Sequence, residues 1–425
     1  MILLGLVLVL LALFGAPLFA VIAAGAIVGF RKAGVDLAVI PIEIYRIAEM
    51  PVLLAIPLFT FAGYLLGETK APERLVRLTR ALLGWMPGGL AVVSLAACAI
   101  FTAFTGASGV TIIALGALLY PALKQDGYRD TFSLGLLTAS GSLGLLFAPS
   151  LPLILYGVVA QQTNPGRPVS IDDLFIAGVF PGLLMVVMLS AWSLWVNRHN
   201  RIPLSQFSLQ GALKAVRDAA WEIPLPVIVL GGIYSGYFAI SEAAAITAVY
   251  VLFVEVIVLR EIPLRKLPGI MRRSMVLVGG ILIILGVSLA STNYMIDADV
   301  PRLLFEGIRS HISSRLAFLL VLNLFLLVLG AVLDIFSALV LMVPLILPVA
   351  IGYDIHPAHL GIIFLANMQL GFLTPPVGLN LFIASYRFEK SIAEIYRATL
   401  PFFIILLAAV LIITYWPDLS LVMLD

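Results

Sequence analysis

Charge is scarce in this sequence. Only 11% of the 425 residues are Asp, Glu, Lys or Arg, whereas 62% are hydrophobic. A soluble domain of this size keeps a charged surface, so the composition excludes one. Apolar runs of about 20 residues recur from end to end, and each is long enough to cross a bilayer core of roughly 30 Å. The sequence therefore predicts an all-α polytopic membrane protein.

Cysteine and the signatures of soluble enzymes are scarce as well. Cys98 is the single cysteine and lies in an apolar stretch, so disulfides are not part of the predicted fold. The sequence has no GxxxxGKS/T or GxGxxG motif for a nucleotide, and no HExxH or GxSxG motif for hydrolysis. We expect no enzyme activity, no cofactor and no nucleic-acid partner.

Glycine and proline interrupt the apolar sequence at two matching places. The first break is 144–150, with the sequence GLLFAPS, and the second is 371–377, with the sequence GFLTPPV. Each break begins with a glycine and reaches a proline within a few positions. Two broken membrane segments in corresponding halves are the best sequence indication of a secondary transporter and of its binding site.

The spacing of the breaks indicates an internal duplication. Gly144 and Gly371 begin the two breaks. Pro121 and Pro348 lie upstream of them, and the two prolines are separated by the same interval as the two glycines (371 − 144 = 348 − 121). We expect a first repeat at 1–196, a polar connector at 197–222 and a second repeat at 223–425. Coincidence among apolar runs punctuated by Gly and Pro is the alternative.

Each half also contains an amphipathic segment, Ala71–Leu83 in the first and Val300–Ser314 in the second. Charges recur there beside Leu and Val at helical spacing. We expect these helices to lie along the membrane interface, with an ordinary solvated loop helix as the alternative. The basic connector favours a cytoplasmic position, and both termini are expected outside. The halves then cross the membrane an odd number of times, which is the condition for inverted-topology repeats.

The two breaks are candidate cation sites. A broken helix is tolerated at membrane depth only where it lines a cavity buried in protein. Proline has no N–H, so Pro149 and Pro375 release carbonyl oxygens, the ligand type that small hard cations such as Na⁺ prefer. Thr374 adds a hydroxyl to the second break, whereas Phe147 offers only backbone in the first. Kinks that serve packing alone are the alternative.

Two further segments mark predicted hairpin tips. The small polar run 104–109, FTGASG, interrupts an apolar stretch, which is typical of a re-entrant hairpin whose helix ends hold ions. Asp334 falls near the equivalent place in the second half, among Leu and Val residues. An acid within a membrane segment is costly, so we interpret Asp334 as a cation partner. A hairpin end at the water boundary is the alternative.

The remaining acids and histidines receive mainly structural interpretations. Glu242 directly after Ser241 is typical of a capped helix start, with a direct role in transport as the alternative. Glu255 lies near the end of its span and is expected at the membrane interface. His356 and His359 are expected in a loop, with proton coupling as the alternative.

Several stretches together resemble the large membrane subunit of tripartite ATP-independent periplasmic (TRAP) transporters, the DctM-like family. They keep their order over nearly the whole chain: 141–144 GSLG, 148–152 APSLP, 154–157 ILYG, 174–178 LFIAG, 232–236 GIYSG, 242–245 EAAA and 371–378 GFLTPPVG. The chain departs from the family pattern at 239–241, AIS instead of Thr-Pro-Thr. It also departs at 106–108, GAS instead of Gly-Ser-Ser, which removes a hydroxyl from the first hairpin.

The resemblance implies a sodium-coupled importer of small organic acids, such as C4-dicarboxylates or sialic acid, in the bacterial inner membrane. It implies an elevator mechanism, in which a transport domain that carries the hairpins and broken helices moves against a scaffold. It also implies two protein partners, a small four-helix membrane subunit (DctQ-like) and a periplasmic substrate-binding protein (DctP-like).

The same resemblance implies which residues hold ions and substrate. Sodium ligands are expected at Thr105, Ser108, Gly144, Phe147 and Pro149 in the first half, and at Gly330, Asp334, Gly371, Thr374 and Val377 in the second. The substrate carboxylate is expected between the hairpin tips, beside Thr102, Thr138 and Ser140. A stand-alone ion-coupled carboxylate carrier is the second hypothesis, and an intramembrane enzyme or assembly factor is the third. Coupling to H⁺ through Asp334 also stays open.

Overall fold

The computed structural model describes residues 7–8, 10–11, 14–86, 88–163, 169–198 and 208–424. The α-helices before the connector are α1 (Leu18–Ala33), α2 (Val39–Arg46), α3 (Ala55–Gly67), α4 (Ala71–Leu83), α5 (Gly89–Thr105), α6 (Ser108–Gln125), α7 (Asp130–Ser140), α8 (Leu151–Thr163), α9 (Ile171–Ala177) and α10 (Val179–Asn197). The later ones are α11 (Leu209–Asp218), α12 (Pro224–Tyr234), α13 (Ile240–Leu252), α14 (Leu267–Asp297), α15 (Val300–His311), α16 (Arg315–Val332), α17 (Ile335–Gly352), α18 (Pro357–Gly371), α19 (Leu379–Phe388), α20 (Ile392–Tyr415) and α21 (Asp418–Leu421).

The fold is helical, and no β-strand occurs in the described ranges. In those ranges six helices are long and apolar enough to cross a membrane, and up to eight spans result if each of two bent pairs counts as one. One bent pair, Val39–Glu49 with Pro51–Gly67, turns by 71°, and the other turns by 42° at the first Gly/Pro break. The predicted all-α polytopic class is confirmed.

The two halves of the chain complete each other's core. Contacts across the connector join α1 to α14, α3 to α13, α7 to α20 and α8 to α17. Apolar side chains of α5 to α8 share one continuous buried cluster with those of α16 to α18. Each half therefore buries its apolar faces against the other rather than only against itself.

The predicted connector lies partly outside the described residues, since 199–207 are not described. Its described part contains α11, whose start is capped by Ser208: the Oγ atom accepts a hydrogen bond from the Gly211 amide (3.2 Å). The boundaries 1–196, 197–222 and 223–425 stay a prediction.

The two amphipathic segments are helices. α4 has the predicted bounds, and α15 ends at His311 rather than Ser314. α4 buries several residues, including Arg74, whereas α15 buries none. Where the two helices lie relative to the membrane stays a prediction.

Candidate transport site

The first predicted hairpin is a helix, a two-residue tip and a second helix. α5 ends at Thr105, and α6 begins at Ser108. Between them Gly106 has a φ of +63°, a left-handed conformation that glycine adopts without steric cost. Its amide donates to the Thr102 carbonyl (2.8 Å) and closes α5. No described side chain caps the first amides of α6, so this tip presents open N–H groups where the helix dipole favours an anion.

The second predicted hairpin has the same plan with a different tip. α16 ends at Val332, and Asp334 precedes α17 as its N-cap. Its Oδ1 accepts hydrogen bonds from the amides of Phe336 (3.0 Å) and Ser337 (3.1 Å), and its Oδ2 accepts one from the Ser337 hydroxyl (2.5 Å). Asp334 is exposed at this hairpin end. Asp334 thus caps α17, and its role in cation binding stays a prediction.

Both predicted breaks interrupt helices. In the first, a 3₁₀ turn at Leu143–Leu146 follows α7, and the helical path resumes at Leu151 after a cis Ala148–Pro149 peptide. In the second, α18 ends at Gly371 and a cis Pro375–Pro376 peptide lies before α19. Proline cannot donate to the helical ladder, so neither break continues as regular α-helix through its proline.

A glycine of each break packs against the backbone of its own hairpin. A Cβ atom placed on Gly144 would lie 2.3 Å from the amide nitrogen of Ala103, and one placed on Gly371 would lie 2.6 Å from the Cα of Gly330. Gly330 follows Ala103 by the same interval that separates the two break glycines (330 − 103 = 371 − 144). The two halves therefore repeat the same contact between hairpin and break, and only glycine permits so close an approach.

The two tips meet at one cavity of about 350 Å³. Its walls include both tips, both breaks, α3 and α14, with Ala107, Ser108, Asp334, Leu145, Phe372, Tyr64 and Leu277 among the lining residues. Of the described lining residues, Asp334 is the only Asp, Glu, Lys, Arg or His. The cavity is thus an apolar chamber with a carboxylate at one tip and open amides at the other.

The predicted first-half ligands lie in and behind the first tip. Thr105 is fully buried, and its hydroxyl has no hydrogen-bond partner within the described part of the chain. Ser108 is buried and lines the cavity. Phe147 is half-buried, and its carbonyl accepts a hydrogen bond from the Ser150 amide (3.0 Å), while Pro149 is buried. Their role as sodium ligands stays a prediction.

The predicted second-half ligands connect the second break to its hairpin. The amide of Val377 donates to the Ala331 carbonyl (3.2 Å), beside the contact of Gly371 with Gly330. The half-buried Thr374 donates its hydroxyl to the carbonyl four residues earlier (3.1 Å). The structure thus brings these residues together, and whether they bind sodium stays a prediction.

The three predicted substrate residues lie inside the helix packing. Thr102, Thr138 and Ser140 are fully buried. The Thr102 hydroxyl donates to the Gly141 carbonyl (2.9 Å) and so ties the first hairpin to the broken helix. The hydroxyls of Thr138 and Ser140 donate to carbonyls within α7 (2.7 and 3.3 Å). None of the three lines the cavity between the tips.

The sequence analysis did not identify two side-chain amides beside the second break. Asn380 is fully buried, and its Nδ2 donates across the halves to the Ser142 hydroxyl (3.3 Å), while its Oδ1 has no partner among the described residues. Gln369 is also fully buried, and neither of its amide atoms has a partner there. Polar side chains that flank GFLTPPVG in an apolar stretch were the available signal.

The helix start near Glu242 is real, but its cap differs from the prediction. α13 begins at Ile240, so Ser241 is inside the helix and not its cap. The carboxylate of Glu242 instead accepts a hydrogen bond from the Ala239 amide (2.9 Å). This contact supports the structural interpretation of Glu242.

Two polar side chains are buried against distant partners, and the expectation for His359 was wrong. Glu255 is 1% exposed and is contacted by Arg74 of α4 (3.4 Å), while its expected place at the membrane interface stays a prediction. His359 is fully buried inside α18, where its ring nitrogens contact Ser420 Oγ (3.2 Å) and the Thr414 carbonyl (3.3 Å), instead of lying in a loop. In both cases the partner is distant in sequence.

A family model decides the classification. The model of the DctM component of the tripartite ATP-independent periplasmic transporter matches residues 3–419. The chain belongs to this family. The DctM chain is therefore a transporter permease component and a multi-pass protein of the inner membrane, not an enzyme.

Curated relatives of the DctM chain differ in the substrates that their names give. The C4-dicarboxylate TRAP transporter large permease protein of Rhodobacter capsulatus is 34% identical over 92% of this chain and 91% of its own length. The ectoine/5-hydroxyectoine permease of Ruegeria pomeroyi is 30% identical over 99% of this chain and 97% of its own. The isethionate permease DctMQ of Oleidesulfovibrio alaskensis is 33% identical over 87% of this chain and 57% of its own.

A solved structure shares the fold of the DctM chain. The Alcanivorax borkumensis YdaH transporter, whose crystal structure is described as having an unusual topology, superposes with a TM-score of 0.58. The match covers 88% of this chain and 89% of the other at 15% sequence identity. At that identity the likeness concerns the fold alone.

Proposed function

We propose that this DctM chain imports small organic acids by coupling their uptake to sodium. The observation that carries the proposal is the cavity between the two hairpin tips, because it offers open amides at one tip and a carboxylate at the other. Helix N-termini bind anionic substrate groups in transporters built from broken helices, and freed carbonyls bind the coupling ions. The substrate carboxylate binds at the first tip.

The substrate class rests on the cavity and on the relatives. C4-dicarboxylates, ectoine, sialic acid and isethionate, named for the relatives, all carry an acid group. No described Lys or Arg lines the cavity, so the open amides of α6 have to supply the anion contacts. Recognition through backbone amides suits acids of varied shape, and Thr102, Thr138 and Ser140 shape the packing behind the cavity.

Sodium binds at the two hairpin-to-break contacts. Within the described residues no group of three His, Cys, Asp or Glu could hold a metal ion. A cation here therefore depends on carbonyl and hydroxyl oxygens, which suits Na⁺ better than a transition metal. The unpartnered Thr105 hydroxyl supports the first site, with Ser108 and the backbone of Gly144, Phe147 and Pro149. Asp334, Thr374 and the backbone of Gly330, Gly371 and Val377 form the second.

Transport proceeds by an elevator motion of inverted repeats and needs two partners. Each hairpin moves together with its break, because Gly144 and Gly371 pack closely against the backbone of their own hairpins. A periplasmic binding protein delivers the substrate, and a small membrane subunit supports the scaffold. The family description, which names a tripartite transporter, supports both partners. The relative named DctMQ indicates that the small subunit need not be a separate chain.

Uptake into proteoliposomes tests the proposal. The vesicles contain this chain with its small membrane subunit and are tested with and without an inward Na⁺ gradient and with and without the binding protein. We expect uptake of a radiolabelled C4-dicarboxylate or another acid only when both are present. Uptake without the binding protein would establish a stand-alone carrier, and uptake driven by a proton gradient alone would refute sodium coupling.

A further inference from the structure

A buried charge cluster lies away from the transport cavity. The guanidinium of Arg74, on α4, contacts three carboxylates: Glu222 at Nε (2.5 Å), Glu255 at Nη2 (3.4 Å) and Glu261 at Nη1. The side chains of Arg74, Glu222 and Glu255 are 8%, 5% and 2% exposed. The cluster joins the first amphipathic helix to the end of the connector and to the segment between α13 and α14.

The charges in this cluster do not balance. Three carboxylates face one guanidinium, so the cluster carries two net negative charges if every group is ionised. The Oε2 atoms of Glu222 and Glu255 are buried and have no hydrogen-bond partner among the described residues. A buried unpaired carboxylate oxygen is costly, and the cost falls when a proton neutralises it.

Among the described residues, Arg74 is the only cation that forms an ion pair with the three carboxylates. Arg77, on the same helix as Arg74, pairs with Asp218 (3.9 Å), and Arg273 pairs with Glu68 (2.6 Å). The other groups that face the cluster are the Tyr250 hydroxyl, which donates to the Trp221 carbonyl (2.9 Å), and the Lys70 amide, which donates to Glu261 (2.7 Å). Burial raises the pKa of Glu222, and Arg74 offsets part of that rise.

We propose that the Arg74 cluster is a proton-binding site, in which a free carboxylate oxygen of Glu255 or Glu222 carries one proton at neutral pH. Glu255 is the better host, because it is the most buried of the three and has the longest contact with Arg74. It also lies in a π-helical turn, Phe253–Val258, a local geometry frequent at functional sites. Within the described residues no group of three or more His, Cys, Asp or Glu could hold a metal ion, which favours a proton over a divalent ion at this cluster.

The bound proton makes the attachment of α4 depend on pH. The folded cluster binds a proton that the carboxylates of an unfolded chain release above about pH 4.3. Stability therefore falls as pH rises, by at most tenfold in the unfolding equilibrium constant per pH unit for one proton. Alkaline pH removes this proton and loosens the joint between α4 and the second half, whereas neutral to mildly acidic pH keeps the proton bound and the joint intact.

Infrared difference spectroscopy on the purified full-length chain with its membrane partner tests the site. We expect the stretching band of a protonated carboxyl to be present at pH 6.5 and to disappear on titration to pH 9. The band should be absent in Glu255→Gln or, if the proton resides on its neighbour, in Glu222→Gln. The matched control is Glu306→Gln, whose carboxylate is 61% exposed on α15.

Two outcomes overturn the proposal. The first is a wild-type protein without any titrating carboxyl band in this pH range, a result that requires no variant to fold. The second is a band that shifts with Na⁺ concentration at fixed pH, which would make the cluster a sodium site. As an independent readout, the pH dependence of the thermal unfolding midpoint should flatten in Glu255→Gln and stay unchanged in Glu306→Gln.

Discussion

The two hairpin tips occupy equivalent positions but offer opposite chemistry. Ala107 at the first tip leaves the amides of α6 uncapped, whereas Asp334, its equivalent by the interval between the two breaks, closes the start of α17 with its own carboxylate. One side chain thus converts a surface that favours an anion into one that can serve a cation. A duplicated backbone can therefore present a site with two unlike sides.

The two amphipathic helices differ in a similar way. α4 is fixed by Arg74, which is buried among three carboxylates. α15 carries Arg302, which pairs with Asp299 (2.8 Å) and Glu306 (3.7 Å) on an exposed surface. Exposed ion pairs contribute about 0–1 kcal/mol, whereas breaking a buried pair costs about 3–5 kcal/mol. The first helix has a buried ionic anchor, whereas the ion pairs of the second are exposed.

The largest expected effect comes from breaking the contact that the halves share. Gly144→Ala and Gly371→Ala would each place a methyl group within 2.6 Å of hairpin backbone. Because backbone cannot move aside as a flexible side chain does, we expect a loss of about 3 kcal/mol or more of stability and no uptake. Thermal unfolding in detergent measures the loss. Gly279→Ala, which meets no atom within 4 Å, is the control and should leave stability intact.

The next largest effect should distinguish the ion pairs of the two amphipathic helices. Arg74→Ala leaves three carboxylates without their cation and should cost about 3–5 kcal/mol, visible as low yield and a lowered unfolding midpoint. Arg302→Ala removes only exposed pairs and should change stability by at most about 1 kcal/mol. Equal effects of the two substitutions would contradict the distinction between a buried and an exposed ion-pair cluster.

Ala107→Asp makes the first tip imitate the second. A carboxylate there would cap the amides of α6 and repel an anionic substrate, so uptake should fall at least about tenfold, which corresponds to roughly 1.4 kcal/mol. Substrate-binding calorimetry on the purified complex measures the change directly. Ala107→Asn caps the same amides without charge and is the matched control. If both variants bind substrate normally, the anion does not use these amides.

Asp334→Asn makes the second tip lose its charge but keep its cap, since Asn is as good an N-cap as Asp. We expect the protein to fold normally and its uptake to fall at least about tenfold, because one formal charge of the cation site disappears. Expression level and unfolding midpoint serve as controls for folding. Normal uptake by this variant would reduce Asp334 to a structural cap.

Thr374→Ala should produce the smallest effect. The half-buried hydroxyl donates to a backbone carbonyl (3.1 Å), so its loss removes one oxygen from the second break at little cost to the helix. We expect a several-fold rise in the Na⁺ concentration for half-maximal uptake, with the maximal rate preserved. An unchanged sodium dependence would exclude the hydroxyl from the second site.

The sequence anticipated the local features of the site better than its contacts. Both breaks, both hairpins and the bounds of α4 followed from Gly, Pro and charge patterns, because these residues act on the backbone at their own positions. Asn380 and Gln369 were missed, since nothing local distinguishes a buried amide that reaches across the halves. The burial of Glu255 in a charge cluster was not predicted, because its partner, Arg74, is 181 positions away.

By itself the sequence determined that this is a helical membrane protein with two matched breaks. Hydrophobic run length, proline and glycine suffice for that, because each acts through local backbone and transfer energetics. Only the tertiary structure decided that both tips meet at one cavity, that each break glycine touches its own hairpin, and that three distant glutamates gather around one arginine. These contacts depend on how the halves pack together, and packing joins residues that no local pattern connects.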